Sequence, residues 1–267
     1  MSPKFIVLPK SHPSLAKFLQ LSDRYKAFRL LSLRLSPESF GSTYAREVAF
    51  APEKWLARLS NPLATTIVAV DDGGITPPSP VQAPSSDDAD RILSIETADA
   101  AESDFELALD AEWLASLTIS GPLDMKTLAT HLHLEESFVD FGPAHKLDLG
   151  PAARKRDSDS DRPRRQFVVN GMYVLPIARG HSLGVQILEC AKRYVAAEAK
   201  VSGERVRLLL IVDYDNPPAR RTYEKCGFEV VHRYWFDDYR EGREARTEAA
   251  VMVVDLNEGD GSGKKAG

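Results

Sequence analysis

The stretch NPPARRTYEKCGF, residues 216–228, reads as a short helix with a marked start and a marked end. Asn216 is a good N-cap, because its side chain can accept a hydrogen bond from the first helical turn. Gly227 suits the left-handed residue that follows many helices. The alanine four positions before Tyr223 shares one helix face with it and leaves room for a ligand beside the phenol. A tyrosine that only packs in the core would fit the same stretch.

A second stretch, VLPIARGHSLGVQIL at residues 174–188, contains the end of a predicted strand, a loop and the start of a predicted helix. A loop that enters a helix presents unpaired N–H groups at the positive end of the helix dipole, which favours anions such as phosphate. Gly180 and Gly184 let the backbone approach a ligand closely, and Arg179 can add positive charge. The spacing matches neither the dinucleotide fingerprint nor the P-loop. Alone, this loop predicts an anion site without naming its ligand.

Together, the two stretches resemble the GNAT superfamily of acyl-CoA N-acyltransferases. The family's loop pattern, Val-x-Pro-x-x-Arg/Gln-x-x-Gly-x-Gly/Ala, is met over residues 174–184, except that Ser182 stands where the first glycine is usual. The family's next motif, Asn-x-x-Ala-x-x-x-Tyr-x-x-x-Gly-Phe, is matched at every fixed position of residues 216–228. The resemblance is specific over residues 166–228. More loosely, residues 36–44 look like the turn that borders the family's acceptor site.

The resemblance implies a mixed α/β fold: a splayed, mixed β-sheet flanked by helices, with long loop insertions. We expect one GNAT-like domain over residues 1–256, with flexible inserts at about 71–90 and 148–165, where Pro, Ser, Asp and Arg dominate. The tail, residues 257–267, is expected to be disordered.

The resemblance also implies a function, namely transfer of an acyl group, acetyl above all, from acetyl-CoA to a primary amine by direct attack. Tyr223 is then the catalytic general acid near the thioester sulfur. The backbone of Met172–Val174 pairs with the pantetheine arm, the amides of Arg179–Gly184 hold the pyrophosphate, and Asn216 contacts the arm. The implied cofactor-binding residues are Met172, Tyr173, Val174, Arg179, Gly180, His181, Ser182, Leu183, Gly184 and Asn216.

The catalytic base is left open by the sequence. A backbone N–H near Tyr173 or Val174 could stabilise the oxyanion. Residues 166–174, the predicted strand in question, contain no carboxylate. The candidates for proton removal from the amine are Glu47, Asp213 and Asp215. The acceptor amine, the acyl chain length and the oligomeric state are also left open.

Apolar periodicity and punctuating residues outline the remaining elements. The predicted helices span 14–35, 43–59, 182–199 and 217–225. The predicted strands span 5–8, 65–70, 113–120, 166–175, 206–212, 228–234 and 249–256. Residues 126–134 fit a helix or a strand. Asn170-Gly171 fits a two-residue hairpin or a bulge inside one strand, and the short flanks favour the bulge.

Composition excludes several classes of protein. A net charge of −5 over 267 residues gives no basic field for nucleic acid. No apolar run approaches the roughly 20 residues that span a bilayer, and the N-terminus is too short and interrupted for a signal peptide. We therefore expect a cytoplasmic protein, and the basic pairs at residues 154–165 leave a nuclear location open beside the simpler interpretation of a charged surface loop.

The cysteines, a pair of histidines and an acidic run each have a simple structural interpretation. Cys190 and Cys226 are expected to be reduced thiols in helices or at a helix end. His131-x-His133 is interpreted as a non-metal pair, since zinc needs three or four ligands. The acidic run at residues 87–112 fits a solvated face, or else a mouth for a cationic acceptor.

Two rival functions remain at this stage. One is a non-catalytic acyl-CoA-binding or regulatory module, which would keep the loop but not need Tyr223. The other is a nucleotide-phosphate binder, for which ATP or 3′-dephospho-CoA would compete as well as CoA.

Overall fold

The computed structural model describes residues 3–71, 98–134, 164–202, 204–238, 240 and 245–256. The strands are β1 Pro3–Val7, β2 Ala64–Asp71, β3 Trp113–Leu123, β4 Arg164–Val174, β5 Arg205–Asp213, β6 Glu229–Asp237 and β7 Arg246–Leu256. The α-helices are α1 Leu15–Leu35, α2 Tyr44–Val48, α3 Pro52–Leu59, α4 Ala98–Asp110, α5 Met125–Leu132, α6 Leu183–Ser202 and α7 Pro217–Lys225. Short 3-10 turns occupy Pro37–Ser39 and Pro176–Ala178.

The strands form one mixed sheet in the order β1-β2-β3-β4-β5-β7-β6. Strands β4 and β5 are parallel, and α6 lies between them in the chain, as a crossover connection requires. Strand β7 pairs antiparallel with both β5 and β6, and β1 pairs antiparallel with β2. The predicted mixed α/β fold is confirmed.

The chain divides into two compact units, and strands β3 and β4 contribute residues to both. The first unit comprises Met1–Ile119, Asn170–Tyr194 and Asp238–Ala245, and the second comprises Ser120–Val169, Val195–Asp237 and Arg246–Gly267. The expectation of a single domain over residues 1–256 stays a prediction. The expected insert at 71–90 lies outside the described residues except for Asp71, which ends β2, and the tail lies outside them entirely. The expected insert at 148–165 is too long, because β4 already begins at Arg164.

Two ambiguous stretches are resolved by the structure. Residues 125–132 form a helix, because Asp124 caps it by accepting the backbone N–H of Thr127. Strand β4 runs unbroken through Asn170-Gly171, so the hairpin interpretation is wrong. Gly171 has a φ of 58°, a conformation typical of the glycine in a β-bulge.

The predicted helix at 43–59 is in fact two helices, α2 and α3. Pro52 explains the break, because proline disfavours a helical residue before it and takes the first position of α3. The prediction of α1 is confirmed, and Ser14 caps its first turn. Its leucines at 15, 19, 31 and 35 are nevertheless exposed, and the buried face is built from Phe18, Leu21, Phe28 and Leu33 with two small serines.

Both cysteines are free and buried, as expected for reduced thiols. Cys190 lies within α6, and Cys226 is the C-cap residue of α7. Within the described parts of the chain, no helix combines the length and the hydropathy needed to cross a membrane.

Candidate functional site

Strand β4 loses its pairing with β5 halfway along its length. The parallel register runs from Arg164 opposite Arg205 to Val168 opposite Leu209, and β4 continues to Val174. Parallel strands that part in this way leave backbone groups of the continuing strand without that neighbour, and a ligand can pair with them. The segment Met172–Val174, which the resemblance assigns to the pantetheine arm, lies in this part of β4.

The loop after β4 presents a row of consecutive backbone N–H groups. Arg179 donates its N–H to the carbonyl of Pro176, and the first helical bond of α6 runs from Gln186 to Ser182. Between these bonds, the amides of Gly180–Gly184 donate to no acceptor among the described residues. Gly180, His181 and Ser182 are exposed, so these amides can reach a ligand. The loop therefore has the donor pattern of a pyrophosphate site at a helix N-terminus.

Ser182 adopts the conformation that the family's glycine would supply. Its φ is 58°, and that of Gly180 is 85°, so left-handed residues flank His181. Alternation of this kind turns successive N–H groups towards one side, which creates an anion-binding nest. A side chain in the left-handed region costs roughly 1 kcal/mol. The serine is therefore compatible with the loop at a modest cost in backbone strain.

The side chain of Arg179 binds the protein itself. Its Nε donates to the carbonyl of Val174 at 3.0 Å, and its Nη2 donates to the hydroxyl of Ser36 at 3.1 Å. The guanidinium also lies over the ring of Tyr173, 5.4 Å from its centroid. The hydroxyls of Tyr173 and Ser36 are 3.2 Å apart. Arg179 thus ties the end of β4 to the turn after α1, and the backbone amides are left as the main ligands for a phosphate.

Helix α7 has the local structure that its sequence predicts. The Oδ1 atom of Asn216 accepts the N–H of Ala219 at 3.2 Å, so Asn216 is the N-cap. Gly227 has a φ of 84°, and the N–H of Phe228 returns to the carbonyl of Tyr223. Because the cap uses only the Oδ1 atom of Asn216, the two N–H donors of its side-chain amide can bind a ligand.

Tyr223 keeps its proton at any working pH. Burial raises the pKa of its phenol to about 12, and the neighbouring Cys226 adds to the shift. The ring stands edge-on to Phe228, with 6.1 Å between centroids. Its hydroxyl forms no hydrogen bond with any described residue, so it can donate to a ligand. Because a thiol has a pKa of about 8.5, a hydrogen bond to the leaving thiolate is easier for Tyr223 than complete proton transfer.

Glu47 is a poor candidate for the general base. Its side chain is only 1% exposed and accepts Nη2 of Arg29 and Nη1 of Arg58, each at 2.8 Å. Burial alone would raise its pKa, but the hydrogen bonds and charges of the two arginines outweigh it and lower the pKa to about 2. So weak a base has little tendency to take a proton from an amine. Asp213 ends β5 and Asp215 lies two residues beyond it, both in the second unit, and they remain candidates.

The acidic run is partly neutralised where the structure describes it. Residues 98–110 form helix α4, and three of its carboxylates pair with basic side chains of β1, α1 and the loop between them. Glu102 binds Lys17 at 2.8 Å and His12 at 3.1 Å, while Asp104 pairs with Lys4 and Glu106 with Lys17. These ion pairs support the solvated face over the acidic mouth for this helix. Residues 87–97 of the run lie outside the described residues.

The histidines that drew attention in the sequence have no metal-like surroundings in the described part of the chain. His131 and His133 stand at the C-terminal end of α5 rather than in a strand, and His133 is its left-handed cap. Groups of three or more potential metal ligands are absent from the residues that the structure describes. His181 is exposed on the loop after β4.

Comparison with known protein families gives a match over part of the chain. Residues 150–230, which include the loop and α7, match the family model of the acetyltransferase (GNAT) domain. This segment, which carries both sequence motifs, is therefore similar to a GNAT acetyltransferase domain. No curated protein matches the chain by sequence.

Two solved structures are similar to this chain in fold. A GNAT-family acetyltransferase from Streptococcus pneumoniae is 14% identical, with a TM-score of 0.52 over 95% of this chain and 100% of that one. Arabidopsis thaliana NAA60, solved with acetyl-CoA, is 12% identical, with a TM-score of 0.49 over 96% of this chain and 99% of that one. The first likeness shows that the chain has the GNAT fold.

Three residues of this region were missed by sequence reasoning. Ser36 lies in the turn that resembles the family's acceptor border, but nothing in the sequence indicated its contact with Arg179. Arg29 and Arg58 lie on different helices, 29 positions apart in the sequence. Charged residues on amphipathic helices are ordinarily solvated, so only the tertiary structure shows that they share a carboxylate.

We expect Ser182→Gly to bind CoA about threefold more tightly than the wild type, because removing the Cβ lets the backbone approach the pyrophosphate more closely. Ser182→Ala is the matched control, since it removes the hydroxyl and keeps the strained Cβ. Calorimetric titration with CoA measures both variants. Weaker binding by both would show instead that the hydroxyl contacts the cofactor.

Glu47 should make the protein sensitive to acid. Its folded pKa, about 2, lies below its ordinary value of 4.5, so its ion pairs stabilise the fold fully above pH 4.5 and lose this effect as the pH falls through 2. Between pH 5 and pH 2, the free energy of unfolding of the wild type should fall about 3 kcal/mol more than that of Glu47→Gln. Urea titrations measure this difference. The exposed Glu53→Gln is the control, and an equal fall in all three proteins would contradict the prediction.

Proposed function

We propose that this protein transfers an acetyl group from acetyl-CoA to a primary amine by direct attack of the amine on the thioester. The observation that carries the proposal is the row of free amides at Gly180–Gly184, placed directly after a strand that has parted from β5. A pyrophosphate suits the amides, and a pantetheine arm suits the unpaired edge of Met172–Val174. The match of residues 150–230 to the acetyltransferase (GNAT) domain supports the same assignment.

The proposed binding residues are those predicted from the sequence, except that Arg179 has an indirect role. The cosubstrate contacts the backbones of Met172–Val174, the amides of Gly180–Gly184 and the side-chain amide of Asn216. Arg179 supports the site by holding Tyr173 and Ser36 in place, because its guanidinium and its N–H already bond within the protein.

The chemistry then has three requirements. A neutral amine attacks the thioester carbonyl, and a backbone N–H at Tyr173 or Val174 stabilises the oxyanion that develops. The carbon–sulfur bond breaks, and the sulfur leaves as a thiolate. Tyr223, protonated throughout the working range, donates to that thiolate as general acid. The amine's proton leaves through Asp213, Asp215 or water.

The direct test is binding and turnover. Calorimetry should detect binding of acetyl-CoA, and thiol detection should show release of free CoA that depends on an added primary amine. ATP and 3′-dephospho-CoA should compete less well than CoA. Absence of acetyl-CoA binding would contradict the proposal, and equal competition by ATP would favour a nucleotide-phosphate binder.

Tyr223→Phe separates an enzyme from a non-catalytic acyl-CoA-binding module. We expect amine-dependent thiol release to slow about 100-fold, because general acid catalysis typically contributes at least that factor, while CoA affinity stays unchanged. The control is Tyr234→Phe, which removes another phenol of raised pKa whose hydroxyl donates to the carbonyl of Leu132. Equal turnover by both variants would remove Tyr223 from the mechanism.

A further inference from the structure

One carboxylate and two guanidinium groups form a cluster with surplus positive charge in the first unit. Glu47 of α2 receives Nε and Nη2 of Arg29 from α1 and Nη1 of Arg58 from α3. The carboxylate is buried, whereas the side chains of Arg29 and Arg58 are 18% and 34% exposed. One negative charge cannot balance two arginines, which remain charged at every working pH. A net positive charge therefore reaches solvent, and the negative charge does not.

The guanidinium of Arg29, which carries part of this positive charge, lies beside strand β4. The remaining nitrogen of Arg29, Nη1, has no acceptor among the described residues and lies 3.9 Å from the point where a Cβ on Gly171 would stand. The guanidinium lies over the ring of Phe40, 4.4 Å from its centroid. Gly171 immediately precedes Met172–Val174, where the proposed function places the reacting thioester. Two bonds to Glu47 and one aromatic face keep the guanidinium in this position.

The surrounding helices add to the positive potential. Residues 24–59 contain seven lysines and arginines and only three glutamates. Three carboxylates of α4, those of Glu102, Asp104 and Glu106, are already paired with Lys4, Lys17 and His12. An ammonium group that approaches β4 beside Arg29 meets a fixed like charge, and a carboxylate meets an opposite one.

We infer that the acceptor is an amine that also carries a carboxylate group, and that Arg29 selects it with the surplus charge that Arg58 leaves on the cluster. This inference rests on the proposed function. A guanidinium presents a planar fork that matches a carboxylate, which fixes the position of the amine on the same molecule. The nearby positive charge also favours the neutral form of the attacking amine, and β4 itself offers no carboxylate to take its proton. A polyamine, in contrast, would bring further positive charge to this site.

The test measures amine-dependent thiol release from acetyl-CoA for matched acceptors. A panel of amino acids is compared with their carboxamides and with a polyamine, and each rate is expressed per unprotonated amine because the carboxamide lowers the amine pKa. We expect the best carboxylate-bearing acceptor to exceed its carboxamide about tenfold in kcat/KM, the scale of one charge-assisted hydrogen bond. Carboxamides or polyamines that react equally well overturn the inference and leave acetyl transfer standing. Absence of thiol release with every amine contradicts the proposed function itself.

Two variants shift the charge of the cluster in opposite directions. Arg58→Gln removes the surplus charge and should lower the ratio of kcat/KM for carboxylate over carboxamide by about fivefold, whereas Glu47→Gln increases the surplus and should raise the ratio. A structural role alone would move both ratios in the same direction, and that result overturns the inference. Arg34→Gln removes an exposed charge from the same helix α1 and should leave the ratio unchanged. If a variant does not fold, the acceptor panel with the wild-type protein decides the question.

Discussion

Unpaired backbone N–H groups are the physical constraint on which the candidate site depends. A buried or ordered amide needs an acceptor, and helix ends and parted strands are the places where the fold cannot supply one. In this chain the two occur in succession, since β4 loses β5 after Val168 and α6 begins after Ser182. A cosubstrate with a long amide-bearing arm and a pyrophosphate satisfies both. The local backbone, more than any side chain, therefore defines the cosubstrate that the chain is suited to bind.

Two arginine side chains in the first unit use most of their hydrogen-bond donors within the protein. Arg179 was expected to supply charge to a phosphate, but it bonds to Val174 and Ser36 and covers Tyr173. Arg29 likewise donates from two of its nitrogens to Glu47. The two arginines differ in the donors that are left: Arg29 keeps its third nitrogen beside β4, and its cluster has a surplus positive charge. Arg179 therefore supports the structure, whereas Arg29 is proposed to recognise a ligand.

The raised pKa of Tyr223 refines the role of the phenol. A group with a pKa of about 12 is a dependable donor and a reluctant acid, since its conjugate base is stronger than a thiolate. In the proposed mechanism its contribution is therefore greatest while negative charge builds on the sulfur, and proton transfer to the sulfur follows once the product amide has formed. The low pKa of Glu47 makes this carboxylate of the first unit a poor general base.

Local rules were enough to predict much of the fold and part of the site. The N-cap Asn216 of α7 and the left-handed Gly227 after it follow from residue types and spacing over a few positions. The motifs at 174–184 and 216–228 indicated the family for the same reason, because backbone geometry at a turn restricts which residues can occupy it. Predictions failed where distant segments decide. The helix predicted at 43–59 is two helices in the structure.

The sequence by itself determined the donor pattern of the loop after β4, the helix that carries Tyr223 and the resemblance to the GNAT superfamily, since each depends on contiguous residues and short-range sterics. Only the tertiary structure decided how the charges are shared. It paired Arg179 with Ser36 across 143 positions, and it placed Arg29 and Arg58 around one buried carboxylate. Electrostatic interactions depend on distance in space and on burial, neither of which is encoded in spacing along the chain. The alternative of an acidic mouth for a cationic acceptor rested on composition, whereas the structure places the guanidinium of Arg29 beside Gly171 of β4.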